Sequence, residues 1–206
     1  MSADASDTSK GAASSLDLEA GFVHEVLAPG RVPRHVTAWL SRALADVRAI
    51  VWCEPCGEPY PPALAAAGLA LSSVYLLRPR NDAEAVWAIA EALRCRGVGV
   101  TVGCAGRLTP VQARRLQLAA ERGGGRGLLI RRPADAGVHA ARTRWLVLPE
   151  RGEAFTQRWR LRWVHGHGRP VDDDILIEVD RETHAVRATA VLADRPRVAT
   201  PAVAAG

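Results

Sequence analysis

Apolar residues occur along this chain in short, separated runs that switch between strand-like and helix-like spacing. Phe22 to Leu27 (FVHEVL) reads as a strand, broken by Ala28-Pro29-Gly30. Val36, Trp39, Leu40, Leu44 and Val47 then recur at helical spacing, with Pro33 tolerable only at the start of that helix. Ala49 to Trp52 is an unbroken apolar run of the kind buried in parallel sheets. After the turn-rich CEPCGEPYPP, a short helix over Ala63 to Gly68 stops at its glycine. Val74 to Leu77 is the next strand. Asn81 or Asp82 caps a helix over Ala83 to Cys95, with Val86, Ile89, Ala90 and Leu93 on its buried stripe. Val98 to Val102 is a strand. Thr109-Pro110 opens a helix, Thr as cap and Pro at the first helical position, which runs to Arg122 and ends in Gly123-Gly124-Gly125. Leu128 to Ile130 closes the series.

Strands and helices therefore alternate from Phe22 to Ile130, the pattern of a mostly parallel sheet flanked by helices. Beyond that point the chain changes character. Trp145 to Leu148, Arg158 to Val164, Ile175 to Val179 and Ala185 to Leu192 read as four strands, with a loop at His165 to Pro170 and a hairpin turn at Asp180 to Thr183. Arg158 to Trp163 (RWRLRW) has period two, placing Trp159, Leu161 and Trp163 towards the core and three arginines on the opposite face. The expectation is an α/β fold whose C-terminal strands form an antiparallel extension of one sheet. The expected organisation is a disordered leader over 1–20, a single domain over 21–195 (α/β core 21–133, C-terminal strands 143–193) and a disordered tail over 196–206.

Composition narrows the chemistry. The 206 residues are 48% hydrophobic and 24% charged, enough for one sizeable core, and no apolar run approaches a membrane span. The N-terminal stretch has no apolar signal region, so a cytoplasmic protein without membrane contact is expected. The formal charge is +5 and the pI about 9.6, which favours acidic partners mildly. Lys10 is the only lysine, so no lysine beyond the N-terminal stretch can bind phosphate, form a Schiff base or act as a base. Cys53, Cys56, Cys95 and Cys104 do not form a disulfide framework in a chain of this kind.

The strand, loop and helix from Phe22 to Val47 occupy the place where a RecA-type ATPase keeps its phosphate-binding loop. That chemistry needs glycines to bare backbone N–H groups, a lysine for the outer phosphates and a hydroxyl for magnesium. Against that loop, Ala28 stands for the first glycine, Pro33 for the second, Arg34 for the lysine and His35 for the hydroxyl residue. The strand that should end in a magnesium-ordering aspartate, Val98 to Cys104, has no acid. A chain without ATP hydrolysis, cofactor or metal is expected.

Three further runs carry a resemblance. Glu58 to Leu69 (EPYPPALAAAGL) leads to a strand ending in Arg78 and then to Asp82 to Leu93 (DAEAVWAIAEAL). Arg114 to Glu121 (RRLQLAAE) follows, then glycines and Gly127 to Pro133 (GLLIRRP). Their order and spacing resemble the ImuA family, with related spacing in SulA-like proteins, well over Phe22 to Pro133 and loosely beyond. The resemblance implies a RecA-like fold, degenerate in both nucleotide motifs. It implies a non-catalytic accessory role in DNA-damage-induced translesion synthesis (SOS mutagenesis). Its implied partners are an ImuB-like Y-family polymerase homologue, an error-prone DnaE-type polymerase and RecA.

Other constellations compete. Trp52-Cys53-Glu54-Pro55-Cys56 is close to a thioredoxin-like redox motif, which would need Cys53 as an exposed thiolate and Cys56 to resolve it. A SulA-like cell-division inhibitor shares the fold reading and differs only in partner. His165 and His167 lack a matching ligand cluster, Asp172 to Asp174 read as a solvated turn, and His24 as a surface or edge residue. Arg114, Arg115, Arg122, Arg126, Arg131 and Arg132 are the candidates for a DNA or partner surface. Arg115 and Arg122, seven residues apart, share a helix face.

Overall fold

The computed structural model describes residues 18–29, 49–53, 60–66, 68–166, 174–183 and 186–191. The expected helix over Val36 to Val47, most of the leader and the tail lie outside them. Nine strands form one sheet: β1 (Val23–Leu27), β2 (Ala49–Cys53), β3 (Val74–Leu77), β4 (Val98–Cys104), β5 (Arg126–Arg131), β6 (Thr143–Glu150), β7 (Thr156–His165), β8 (Asp174–Asp180) and β9 (Val186–Val191). Their order is β3-β2-β4-β5-β1-β6-β7-β8-β9. Every pairing from β3 to β6 is parallel, and the pairings of β6–β7, β7–β8 and β8–β9 are antiparallel.

The expected antiparallel extension therefore begins one strand later than its sequence suggests, because β6 belongs to the parallel set. The connection after β5 carries the chain back to the start of β1, where the Arg142 N–H donates to the Val23 carbonyl (2.8 Å). From there β6 runs alongside β1 in the same direction and offers its far edge to β7. Strands β4 and β5 also run one or two residues past their predicted ends.

Among the described residues three helices, α1 (Pro61–Ala66), α2 (Asp82–Arg94) and α3 (Pro110–Gly123), accompany the sheet. Helix α2 starts where the Asn81 side chain accepts the Glu84 N–H (2.9 Å), and it carries Asp82 and Glu84 in the first turn, where acids complement the helix dipole. Helix α3 opens with a capping box: Thr109 Oγ1 accepts the Gln112 N–H (3.2 Å), and Gln112 Oε1 accepts the Thr109 N–H (2.9 Å). It ends at Gly124, whose φ of 73° is left-handed.

Helices α2 and α3 pack side by side on one sheet face. Ile89, Leu93 and Leu116 are buried there with Cys53 and Leu129, and alanines at 85, 90, 113, 119 and 120 keep the layer thin. The helix ends meet closely. A Cβ placed on Gly123 would lie 1.9 Å from the Leu93 carbonyl oxygen, so glycine lets the two backbones touch. The opposite face buries Val26, Ile50, Trp52, Val100, Val102 and Leu128, and this core continues into the antiparallel strands as Leu161, Trp163, Ile175 and Ile177. Trp145 and Trp163, cross-strand neighbours, meet edge to face at 4.7 Å.

Among the described residues the chain is tied to this fold from Leu18 onwards. Arg126 Nε donates to the Leu18 carbonyl (2.8 Å), Glu19 pairs with Arg142 (3.2 Å), and the Gly21 N–H donates to the Gly125 carbonyl (2.8 Å). Among the described residues no helix is long and apolar enough to cross a membrane.

Candidate interaction surface

The six candidate arginines separate into three situations. Arg114, Arg115 and Arg122 are exposed on α3, as the helical spacing predicts, and with Arg94 of α2 they border an open groove of about 450 Å³. Pro110, Val111, Leu118 and Ala119 give the groove its apolar lining. Glu91 of α2 bonds Arg94 (2.5 Å) and lies 3.7 Å from Arg115. Arg114 and Arg122 have no acidic partner among the described residues. Arg132 is exposed and bonded to Asp135 (2.7 Å) three residues on.

Arg126 is half-buried and Arg131 is buried. Arg126 is tied to Leu18. Arg131 is 2% exposed, and its Nη1 donates to Glu25 Oε1 (2.9 Å). Its other N–H groups reach the carbonyls of Gly106 (3.2 Å), Val138 (3.4 Å) and Asp135. Glu25, 1% exposed on β1, also accepts from Arg144 Nε (2.9 Å) and Nη2 (2.6 Å) on the neighbouring β6. An Arg–Glu–Arg cluster thus locks β5, β1 and β6 together beneath the segment 132–142. It was unforeseen: Arg131 reads in sequence as one more basic residue of a basic run.

The same ends of the strands hold two histidines. His139, from the covering segment, meets His165 of β7 edge-on at 4.9 Å. Burial, then the Arg144 charge, hold the His139 imidazole below its ordinary pKa. His24 is not at an edge. It is fully buried, with Nδ1 2.7 Å from Thr143 Oγ1 and Nε2 2.9 Å from the Glu19 carbonyl. His167, Asp172 and Asp173 lie outside the described residues. Among the described residues there is no cluster of three His, Cys, Asp or Glu side chains able to hold a metal.

The basic face of β7 is neutralised across the strands. Arg158 bonds Glu178 (2.5 Å), Arg160 bonds Glu150 and Asp174 (3.0 Å), and Arg162 lies 3.8 Å from Asp174. Trp163 and Leu161 are buried on the other face, as the alternation predicts, and Trp159 is partly buried with them.

At the expected phosphate-loop place, Ala28 is buried and its N–H donates to the Arg131 carbonyl (3.0 Å). Pro33, Arg34 and His35 lie outside the described residues. Cys53 ends β2 fully buried, its Sγ 3.8 Å from the Ala85 carbonyl. Burial, then the Glu84 charge, push its thiol up to about 11. A redox cysteine needs the opposite shift and an exposed sulfur; Cys56 lies outside the described residues.

The fold and this surface define an α/β protein whose mostly parallel sheet carries an arginine-bordered groove on a helix pair. No protein-family model matches the chain. It is similar to Protein ImuA of two Caulobacter vibrioides strains, 30% identical over 146 residues, which are 70% of this chain and 58% of either relative. The chain therefore matches less than two thirds of the length of these curated relatives. The crystal structure of SulA from Pseudomonas aeruginosa aligns at a TM-score of 0.44 and 24% identity, covering 52% of this chain and 96% of that one.

Proposed function

We propose that this chain is an ImuA-like, RecA-related accessory protein of DNA-damage-induced mutagenesis. In this reading it works in the cytoplasm as an adaptor, beside an ImuB-like Y-family polymerase homologue and a DnaE-type polymerase. The observation that carries the reading is the similarity to Protein ImuA over 146 residues. A RecA-type ancestry is supported by the sheet. Strands β1 and β4 run parallel with only β5 between them, so the loops that follow them open on the same edge, as a phosphate loop and a magnesium-ordering acid require.

A non-catalytic role is supported by what occupies that edge. Strand β4 ends in Gly103-Cys104 with no carboxylate to order magnesium. The sequence agrees, since Pro33, Arg34 and His35 stand where such a loop needs its second glycine, its lysine and its hydroxyl. The test is co-purification with the ImuB-like protein of the same organism, with nucleotide binding measured on the same sample. A stable complex without ATP binding is expected. Clear ATP binding, or no complex, would overturn the reading.

A further inference from the structure

The groove beside α2 and α3 combines an apolar stripe with flanking arginines. Val111 is 77% exposed and Leu118 half-buried, seven residues apart on one α3 stripe. Arg114, Arg115 and Arg122 flank that stripe. On α2, Trp87 stands one turn before Glu91 and is 55% exposed, an aromatic of the kind that interfaces use as an anchor.

Nucleic acid would satisfy only the arginines. A phosphate backbone is met by charge and hydration, and an exposed Val–Leu stripe gains nothing against it. A protein segment with an apolar stripe and acidic flanks satisfies both features: its acids meet the guanidiniums of Arg114 and Arg122, which have no acidic partner among the described residues, while its apolar side chains leave water. The distance from Val111 to Arg122 along α3 is about 16 Å, three helical turns, which matches the reach of one short helix lying in the groove.

We propose that this groove docks an acidic amphipathic helix of a partner protein, with its apolar stripe on Val111 and Leu118 and its carboxylates on Arg114 and Arg122. The inference rests on the adaptor reading for its choice of a protein occupant, and it gives that adaptor a surface.

The probe is a fluorescent model helix of about 18 residues, with leucines at helical spacing and glutamates beside them. It is titrated by anisotropy into the full chain, next to a scrambled peptide of the same composition and a single-stranded oligothymidylate. Two variants accompany the wild type: V111D, and the double variant R114E/R122E. All lie on the exposed groove, and their folding is checked by circular dichroism. The striped peptide should bind at least about ten-fold tighter than the scrambled one, and each variant should lose about ten-fold.

Equal binding of both peptides, or no peptide binding, would overturn the proposal. So would oligothymidylate binding that R114E/R122E abolishes and V111D leaves intact, which would mark a phosphate surface. The same variants in the co-purification separate the two readings. A complex that survives both leaves the adaptor standing and rejects the groove as its dock, whereas no wild-type complex rejects the adaptor and leaves the peptide result to decide the groove.

Discussion

Glu25 shows how much one side chain can carry in this fold. Its carboxylate faces two guanidiniums at 2.6–2.9 Å, and Glu25 and Arg131 are almost wholly shut off from water. Removing the acid leaves two buried cations facing each other, which costs far more than the intact cluster contributes. Glu25→Ala is expected to destabilise the protein by about 3–5 kcal/mol, read as a shift of the urea midpoint at unchanged slope. Glu25→Gln, which keeps an acceptor, should lose less. A loss below about 1 kcal/mol for the alanine variant would mean that water replaces the carboxylate. Nothing local in the sequence announces this cluster, since Arg131 and Arg144 are 106 and 119 residues from Glu25 and meet it only once three strands are aligned. The same limit applies to Arg126, which reads as surface charge until its carbonyl partner at Leu18 is known. Arg114, Arg115 and Arg122 were legible because helical spacing alone decides which side of α3 they occupy.

The helix termini are the most legible elements. Asn81, Thr109-Pro110 and the glycines after Arg122 each announce a cap through local chemistry, and all three are used as caps or turns. What the glycine run conceals is the division of labour within it. Gly124 adopts the left-handed conformation, which the end of any helix can require. Gly123 is needed for a tertiary reason: an added methyl would meet the Leu93 carbonyl at 1.9 Å and the Arg94 carbonyl carbon at 3.0 Å. Both contacts are backbone, so no rotamer change relieves them, and α2 and α3 must move apart. Gly123→Ala is therefore expected to cost about 1–3 kcal/mol although alanine is the better helix former. Thr109→Ala, which removes only the cap of the same helix, should cost about 1 kcal/mol. Thermal melts of the two variants would reverse the argument if Gly123→Ala were neutral or stabilising. Strand ends were less legible, because β4 and β5 are extended by ladder partners on both sides, information that the apolar runs do not contain.

Over the whole molecule, alternation of strands and helices made the parallel half legible, and period two made β7 legible as a strand with one polar face. The pivot at β6 was not, since an apolar strand can pair in either direction and here the connection at Arg142 decides. The pivot also governs where the basic charge acts. Strands β6 and β8 bring Glu150, Glu178 and Asp174 beside the arginines of β7, so that face holds the sheet together, while Arg114 and Arg122 on α3 have no acidic partner among the described residues. Two arginine sets of similar appearance in sequence should thus fail in opposite ways. Arg160→Gln removes a half-buried guanidinium held by two acids, and should cost about 1–2 kcal/mol in stability with binding of the striped peptide unchanged. The α3 double variant R114E/R122E should lose the peptide and keep the wild-type stability within about 1 kcal/mol, because exposed charges contribute little to folding and reversing Arg122 costs only its favourable place in the last turn of α3. Chemical denaturation and anisotropy on the same two proteins check both halves. If Arg160→Gln lost binding while folding normally, the working basic face would lie on β7, and the groove on α2 and α3 would have to be given up.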